Sequence, residues 1–131
     1  MAVPYFRRGE DFISEEGETF YADDFTYAPK PSRSYAFCSD TIYTESIVPY
    51  IKGVDILYHE ATFTEKEADR AKATMHSTAK QAATIAQKAG VGRLLLGHLS
   101  ARFDGVEAHL KEAIPVFENV VVVSDFDVVE I

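Results

Sequence analysis

The stretch Tyr35–Thr41, YAFCSDT, is a short apolar run that stops abruptly on a Ser-Asp-Thr triplet. An apolar run of this length is typical of a buried β-strand. In α/β sheets, the residues just past the carboxyl end of a strand commonly carry the chemistry. We therefore expect Asp40 to lie at the rim of a sheet where a functional site forms.

Composition limits what surrounds this stretch. The chain has 131 residues, which is enough for one domain or part of one but not for two independent cores. Thirteen Lys and Arg against 21 Asp and Glu give a net charge of −8, so nucleic acid must be met at a local site or through a partner's basic surface. Cys38 is the single cysteine, which excludes an internal disulfide and suits a reducing compartment. With no signal-peptide pattern and no membrane-spanning stretch, the sequence predicts a cytoplasmic protein without membrane contact.

Residues 1–33 differ from the remainder of the chain. Glycines, prolines and clustered acidic residues punctuate them, and hydrophobic periodicity is weak, which predicts a connector with at most a short strand near Thr19–Tyr21. From residue 34 onward, short apolar runs alternate with amphipathic stretches. This alternation predicts an α/β fold with an at least partly parallel sheet.

The predicted elements follow from this pattern. The strand segments are continuous rather than alternating apolar runs, so both faces of the sheet should be covered. The helices suffice for one face only, so the other face requires a second sheet or another chain. We predict strands at 35–38, 54–58, 93–97, 119–123 and 126–131, and helices at 41–52, 64–73, 78–89 and 106–117, the third capped by Ser77 or Thr78 and ended by Gly90.

Two residues at predicted strand ends are candidate metal ligands. By local chemistry alone, Asp40 is better explained as the N-cap of the following helix, and the alternative is a metal-bridging carboxylate. His98 is either a satisfied core histidine or a zinc ligand held at a strand tip. Ser100 and Arg102, just beyond it, are good donors to phosphate.

The other histidines have separate interpretations. His76 precedes a predicted helix and is either a capping-loop residue or a general acid with a pKa suited to proton transfer. His59 and Glu60 pair an imidazole with a carboxylate at another strand tip. We expect His109 on the surface and Cys38 buried as a small apolar residue. No H-x-H, H-E-x-x-H or C-x-x-C spacing occurs, so spacing alone does not define a metal site.

Four blocks, taken together, carry a family resemblance. Ser39–Thr41 (SDT), His59–Thr62 (HEAT), His76–Thr78 (HST) and Gly97–Arg102 (GHLSAR) resemble, in this order and spacing, the C-terminal half of ribonuclease Z. That family comprises tRNA 3′-processing endonucleases of the metallo-β-lactamase fold. The resemblance covers residues 34–131 and implies half of an αββα sandwich, one mixed sheet with covering helices. Residues 1–33 resemble the linker that follows the upstream half.

The resemblance also implies roles for single residues. Asp40 matches the aspartate that bridges two Zn²⁺ ions, and His98 matches the last histidine ligand of one of them. His76 matches the histidine that helps to protonate the leaving 3′ oxygen, with Glu60 as its polar partner. In such a mechanism the two metals stabilise the negative charge that builds up at the scissile phosphate.

Ser100 and Arg102 match a loop near the scissile phosphate of precursor tRNA. The family's His-x-His-x-Asp-His motif, its next histidine ligand and its tRNA-gripping basic arm do not occur in this sequence. We therefore expect the isolated chain to bind zinc poorly, to leave RNA uncleaved, and to form a homodimer or other homo-oligomer or to associate with the missing half.

Two alternatives remain open at this point. One is another metallo-β-lactamase-fold hydrolase of the arylsulfatase or phosphodiesterase type, against which the HEAT and HST blocks argue. The other is a non-catalytic remnant that acts as an interaction module.

Overall fold

The computed structural model describes residues 8–22 and 29–131 of the chain, which divides into two units between Ser32 and Arg33. The described part of the first unit contains a hairpin of β1 (Phe12–Ile13) and β2 (Thr19–Phe20), paired antiparallel. Gly17 turns the hairpin with φ 85°, a value that favours glycine. The short strand predicted near residue 19 is therefore confirmed.

The second unit is built on a four-stranded sheet whose strands are β3 (Tyr35–Cys38), β4 (Ile56–Glu60), β5 (Arg93–Gly97) and β6 (Val120–Val122). The strands lie in sequence order and every neighbouring pair is parallel. The α/β prediction is confirmed, but the sheet is parallel throughout its described strands rather than mixed. The helices are α1 (Val48–Ile51), α2 (Ala68–Ala73), α3 (Ala79–Ala89) and α4 (Glu107–Ala113), with 3₁₀ turns at Glu45–Ile47 and Glu65–Glu67.

Several predicted boundaries were wrong for local reasons. The helix expected over residues 41–52 begins later. Thr44 is the cap, accepting the Ser46 N–H, and the helical residues are a 3₁₀ turn at Glu45–Ile47 followed by α1. The helix expected up to residue 117 ends at Ala113, since Pro115 cannot continue it. No strand forms at 126–131, where the chain turns through Asp127, whose carboxylate accepts the Ser124 N–H.

The strand order explains why the core lies on one side of the sheet. When parallel strands are added successively at the same edge, right-handed crossovers place all connecting helices on the same face. Leu57, Leu94 and Leu96 point to that face and are fully buried. The predicted narrow apolar face of α3 packs there and is confirmed; its buried members are Ala79, Ala82, Ala83, Ile85, Ala86 and Ala89.

The opposite face of the sheet, here called the open face, is uncovered by the described helices. Tyr35 and Phe37 are 51% and 63% exposed, and Phe37 stacks on Tyr58 with ring centroids 4.6 Å apart. A cavity of about 530 Å³ lies over these rings and Leu95. A side chain at Gly97 would collide with the Tyr58 ring, so glycine makes room for this stack. Among the described residues, the prediction that the helices cover only one face is confirmed. The open face is not bare, because Leu95 is 5% exposed and Val129 and Ile131 of the C-terminal segment line the cavity.

The start of α3 sets the position of the loop before it. Thr78 forms a capping box, accepting the Gln81 N–H at 3.1 Å while the Gln81 side chain accepts the Thr78 N–H at 3.0 Å. Gly90 ends the helix with φ 63°. The predicted cap and stop of α3 are thus confirmed, and the capping box fixes where the preceding loop joins the helix.

His109 was expected on the surface, and that prediction was wrong. Its side chain is fully buried, with the Phe103 ring edge-on at 4.5 Å. Burial lowers its pKa, partly offset by the nearby backbone of Ala61 and Thr62. The mixture of polar and apolar residues in α4 does not show which face is buried. A neutral imidazole can occupy a core position, so the residue type did not reveal the burial of His109 either. Among the described residues, none of the helices is long and apolar enough to cross a membrane.

Candidate metal centre

The carboxyl ends of the parallel strands deliver three polar residues to one edge of the sheet. Asp40 follows β3, Glu60 ends β4, and His98 follows β5. His76 reaches the same place from the loop before α3. The structure brings Asp40, His76 and His98 together, with one potential ligand atom of each within 4.8 Å of the others.

Asp40 is not a helix cap, so the interpretation favoured by local chemistry alone was wrong. No helix begins at residue 41, and Asp40 Oδ1 instead lies 3.4 Å from His98 Nε2. Asp40 and His98 have positive φ values of 51° and 59°, and Met75, just before His76, has 60°. Such conformations cost roughly 1–3 kcal/mol each in non-glycine residues, and they persist where the surrounding structure holds them. Asp40 and His98 thus adopt a left-handed backbone conformation themselves, and His76 directly follows a residue that does.

Glu60 is the buried acceptor beneath the cluster, with no exposed surface. Its Oε1 accepts from His76 Nδ1 at 2.7 Å and from the Thr41 N–H at 3.1 Å. Its Oε2 accepts from the Thr62 hydroxyl at 2.8 Å and from the Thr62 N–H at 3.1 Å. Burial by itself raises the pKa of Glu60, but the hydrogen bonds from Thr62, His76 and the Ser77 backbone outweigh it and hold the pKa below its usual value.

Thr62 is a site residue to which sequence reasoning gave no role. Its Oγ1 lies 2.9 Å from His98 Nδ1 and 3.3 Å from His76 Nδ1, in addition to its bond to Glu60. The signals in the sequence were its place at the end of the HEAT block and its position two residues after an acid at a strand end. Neither signal shows that the Thr62 side chain contacts both histidines.

Backbone and hydroxyl bonds tie the four sequence blocks to one another. The Ser77 hydroxyl donates to the Thr41 carbonyl at 2.6 Å. The Ser100 N–H donates to the Thr62 carbonyl at 3.0 Å, and the Ala61 N–H donates to the Gly97 carbonyl at 2.9 Å. Blocks that are far apart in sequence therefore form one connected edge.

The loop after His98 carries the two predicted phosphate donors. The Ser100 hydroxyl accepts the Arg102 N–H at 3.4 Å. The Arg102 guanidinium is more than half exposed and lies 3.9 Å from a Glu67 carboxylate oxygen. Their role toward phosphate stays a prediction.

The donor set fits a metal ion. A carboxylate and two imidazoles are among the ligands zinc prefers, and three protein ligands with an open position are typical of catalytic zinc. In both histidines Nδ1 contacts Glu60 or Thr62, which leaves Nε2 for a cation. Among the described residues this cluster has donors for one ion and too few for two.

Comparison with solved structures defines the class. The chain adopts a metallo-β-lactamase fold over part of that fold's length. It matches a metallo-β-lactamase fold protein from Bacillus subtilis with a TM-score of 0.65 and 30% identity, covering 71% of this chain and 37% of that one. It matches human tRNase Z, short form, with a TM-score of 0.51 and 32% identity, covering 71% of this chain and 30% of that one. No protein-family model matches the sequence.

The chain is also similar in sequence to curated ribonuclease Z proteins. Ribonuclease Z of Bacteroides fragilis is 47% identical over 119 residues, 91% of this chain and 39% of that protein. Ribonuclease Z of Parabacteroides distasonis is 50% identical over 115 residues, 88% of this chain and 38% of that protein. The chain is therefore a partial ribonuclease Z homologue, and it spans about two fifths of the length of these relatives. The resemblance to ribonuclease Z is confirmed.

The depressed pKa of Glu60 leads to a prediction about acid sensitivity. A carboxyl group whose pKa is lower in the folded state stabilises the fold above its unfolded pKa of about 4.3, and this stability is lost as pH falls through the folded value. We expect Glu60→Gln to lower the free energy of unfolding by about 1–3 kcal/mol at pH 7, because one buried donor loses its acceptor. The difference from the parent chain should shrink below pH 4.

Urea denaturation of the metal-free chain, followed by circular dichroism from pH 3 to 8, measures this effect. Glu118→Gln is the matched control, since Glu118 is exposed and its substitution should change nothing. A Glu60→Gln difference that stays constant from pH 7 to pH 3 would contradict the prediction.

Proposed function

We propose that this chain provides the C-terminal half of a zinc-dependent endoribonuclease that removes the 3′ trailer of precursor tRNA. The observation that carries the proposal is the cluster of Asp40, His76 and His98, present in a homologue of ribonuclease Z. Residues 1–33 would then be the connector from the upstream half. We also propose a cytoplasmic location, which the single free cysteine suits.

Asp40 and His98 are the proposed metal ligands in this chain. The Asp40 side chain is 70% exposed, so its second carboxylate oxygen is accessible to another ion. When bound, zinc supplies Lewis-acid polarisation of a phosphoryl oxygen and stabilises the negative charge that develops there. The protein holds both ligands on strand ends, which keeps their geometry fixed.

His76 is the proposed general acid. Glu60 Oε1 holds its Nδ1–H at 2.7 Å, so Nε2 is the atom directed away from the carboxylate. A protonated His76 donates its Nε2 hydrogen to the leaving 3′ oxygen, and the negative charge of Glu60 stabilises the imidazolium before transfer. Ser100 and Arg102 are the proposed contacts to the substrate phosphate.

A chimera tests this function directly. The 119 matched residues of Bacteroides fragilis ribonuclease Z are replaced by the corresponding residues of this chain. We expect zinc-dependent release of the 3′ trailer from precursor tRNA. His98→Ala and His76→Ala should each reduce the rate by about 100-fold or more, from loss of a ligand and of the general acid respectively.

Lys111→Ala, at an exposed position of α4, is the control and should retain full activity. A folded chimera that hydrolyses simple phosphodiesters but not precursor tRNA would favour another hydrolase of this fold. A folded chimera with neither activity would favour the non-catalytic remnant.

The isolated chain should bind zinc weakly and leave RNA intact. Asp40 and His98 are too few ligands for two ions, even with His76 counted, because each zinc requires about three or four ligands. Isothermal titration calorimetry of the metal-free chain should show no tight binding of two ions, and gel assays should show no cleavage. Tight, stoichiometric binding of two zinc ions that is lost in His98→Ala would overturn this expectation.

The open face is the proposed contact with the remainder of the enzyme. It presents exposed aromatic side chains and a cavity of about 530 Å³, and the matched relatives are more than twice as long as the matched segment. A second copy is a poorer occupant, because each copy carries a net charge of −8. We propose that the upstream half covers this face, and that the isolated chain self-associates weakly in its absence.

Light scattering coupled to size-exclusion chromatography tests the exposed face. The chain alone should give a mass above 14.6 kDa that depends on concentration. Phe37→Ser should shift it toward the monomer, because Phe37 is exposed on the open face. Tyr50→Ser is the matched control, since Tyr50 is 88% exposed but lies on α1. A stable monomer at all concentrations would contradict the proposal.

A further inference from the structure

We propose that Thr62 is a positioning residue that, together with Glu60, sets the tautomer of His98 and leaves its Nε2 free for a metal ion. The inference rests on the proposed function in one respect, the assignment of His98 as a ligand. Its basis is the hydrogen-bond chain that runs from His98 Nδ1 through the Thr62 hydroxyl to the Glu60 carboxylate.

Counting hydrogens along this chain decides the direction of each bond. The carboxylate of Glu60 can only accept, and its Oε2 lies 2.8 Å from Thr62 Oγ1. Threonine has one hydroxyl hydrogen, which this bond uses. Thr62 Oγ1 must therefore accept in its other short contact, 2.9 Å from His98 Nδ1. Nδ1 of His98 consequently carries the hydrogen.

The tautomer determines what His98 offers to the cluster. A neutral imidazole with its hydrogen on Nδ1 has a lone pair on Nε2, the form that ligates a metal. Nε2 lies 3.4 Å from Asp40 Oδ1, an acceptor that by itself favours a hydrogen on Nε2. This contact is longer and more exposed than the 2.9 Å contact between Nδ1 and Thr62 Oγ1, so the Thr62 contact sets the tautomer. The opposite tautomer would direct an N–H at the metal position and exclude the cation.

Glu60 also fixes the tautomer of His76, by a direct hydrogen bond and not through Thr62. Its Oε1 lies 2.7 Å from His76 Nδ1, so that nitrogen also carries a hydrogen. One buried carboxylate thus orients two imidazoles whose rings stack with centroids 5.4 Å apart. His76 is fixed by direct contact, whereas His98 depends on Thr62.

The position of Thr62 is itself tightly held. Its side chain is buried, its N–H donates to Glu60 Oε2 at 3.1 Å, and its carbonyl accepts the Ser100 N–H at 3.0 Å. Valine has the same branched shape and lacks the hydroxyl. Thr62→Val therefore removes the connection with little change in volume, and Thr62→Ser retains it.

Nuclear magnetic resonance of the metal-free chain, labelled with ¹⁵N-histidine and held at pH 8, tests the inference. Long-range ¹H–¹⁵N correlations distinguish the two neutral tautomers. In the parent chain we expect His98 and His76 to be Nδ1–H. In Thr62→Val, His98 should shift toward the Nε2–H form while His76 is unchanged, and Thr62→Ser should match the parent chain.

His59 is an internal control, because its Nδ1 bonds the Glu60 carbonyl at 2.8 Å and makes no bond to Thr62. In the chimera, Thr62→Val should weaken zinc affinity about 10–100-fold and Thr62→Ser should not. An Nε2–H tautomer for His98 in the parent chain would overturn the proposal even if no variant folds. So would an unchanged His98 in folded Thr62→Val. Failure of the chimera to cleave tRNA would leave the tautomer result standing, so the two failures are distinguishable.

Discussion

The rest of the site depends on the burial of one charged group, the Glu60 carboxylate. A buried carboxylate is costly unless donors satisfy its oxygens. Here His76, Thr41 and both donors of Thr62 provide them. These donors come from the end of β3, the end of β4 and the loop before α3. The need to satisfy Glu60 therefore fixes the relative positions of segments that are distant in sequence.

The topology of the sheet explains both the location of the site and the existence of the open face. Parallel strands in sequence order place their carboxyl ends at one edge, where Asp40 and His98 meet. The same order places the helices on one face and leaves Tyr35 and Phe37 exposed on the other. This chain, which spans two fifths of its relatives' length, thus has one edge that gathers the candidate metal ligands and one open sheet face.

Much of the fold could be predicted because its signals are local. The apolar run of β5, the small-residue face of α3 and the Thr78–Gly90 boundaries were read correctly. The errors arose where a competing local interaction acted. Because Thr44 is the cap, the first helix begins later than predicted. Because of Pro115, the last helix ends earlier than predicted. The C-terminal segment forms a turn in place of a strand.

The sequence by itself determined the α/β class, the family resemblance and the residue types available for a site. These follow from hydrophobic periodicity and short motifs, which depend only on residues close together in the sequence. Only the tertiary structure showed that Asp40 faces His98 and does not cap a helix, that His109 is buried, and that Thr62 contacts both histidines. The physical reason is that each of these depends on side-chain direction and hydrogen-bond partners from other strands, which no local pattern specifies.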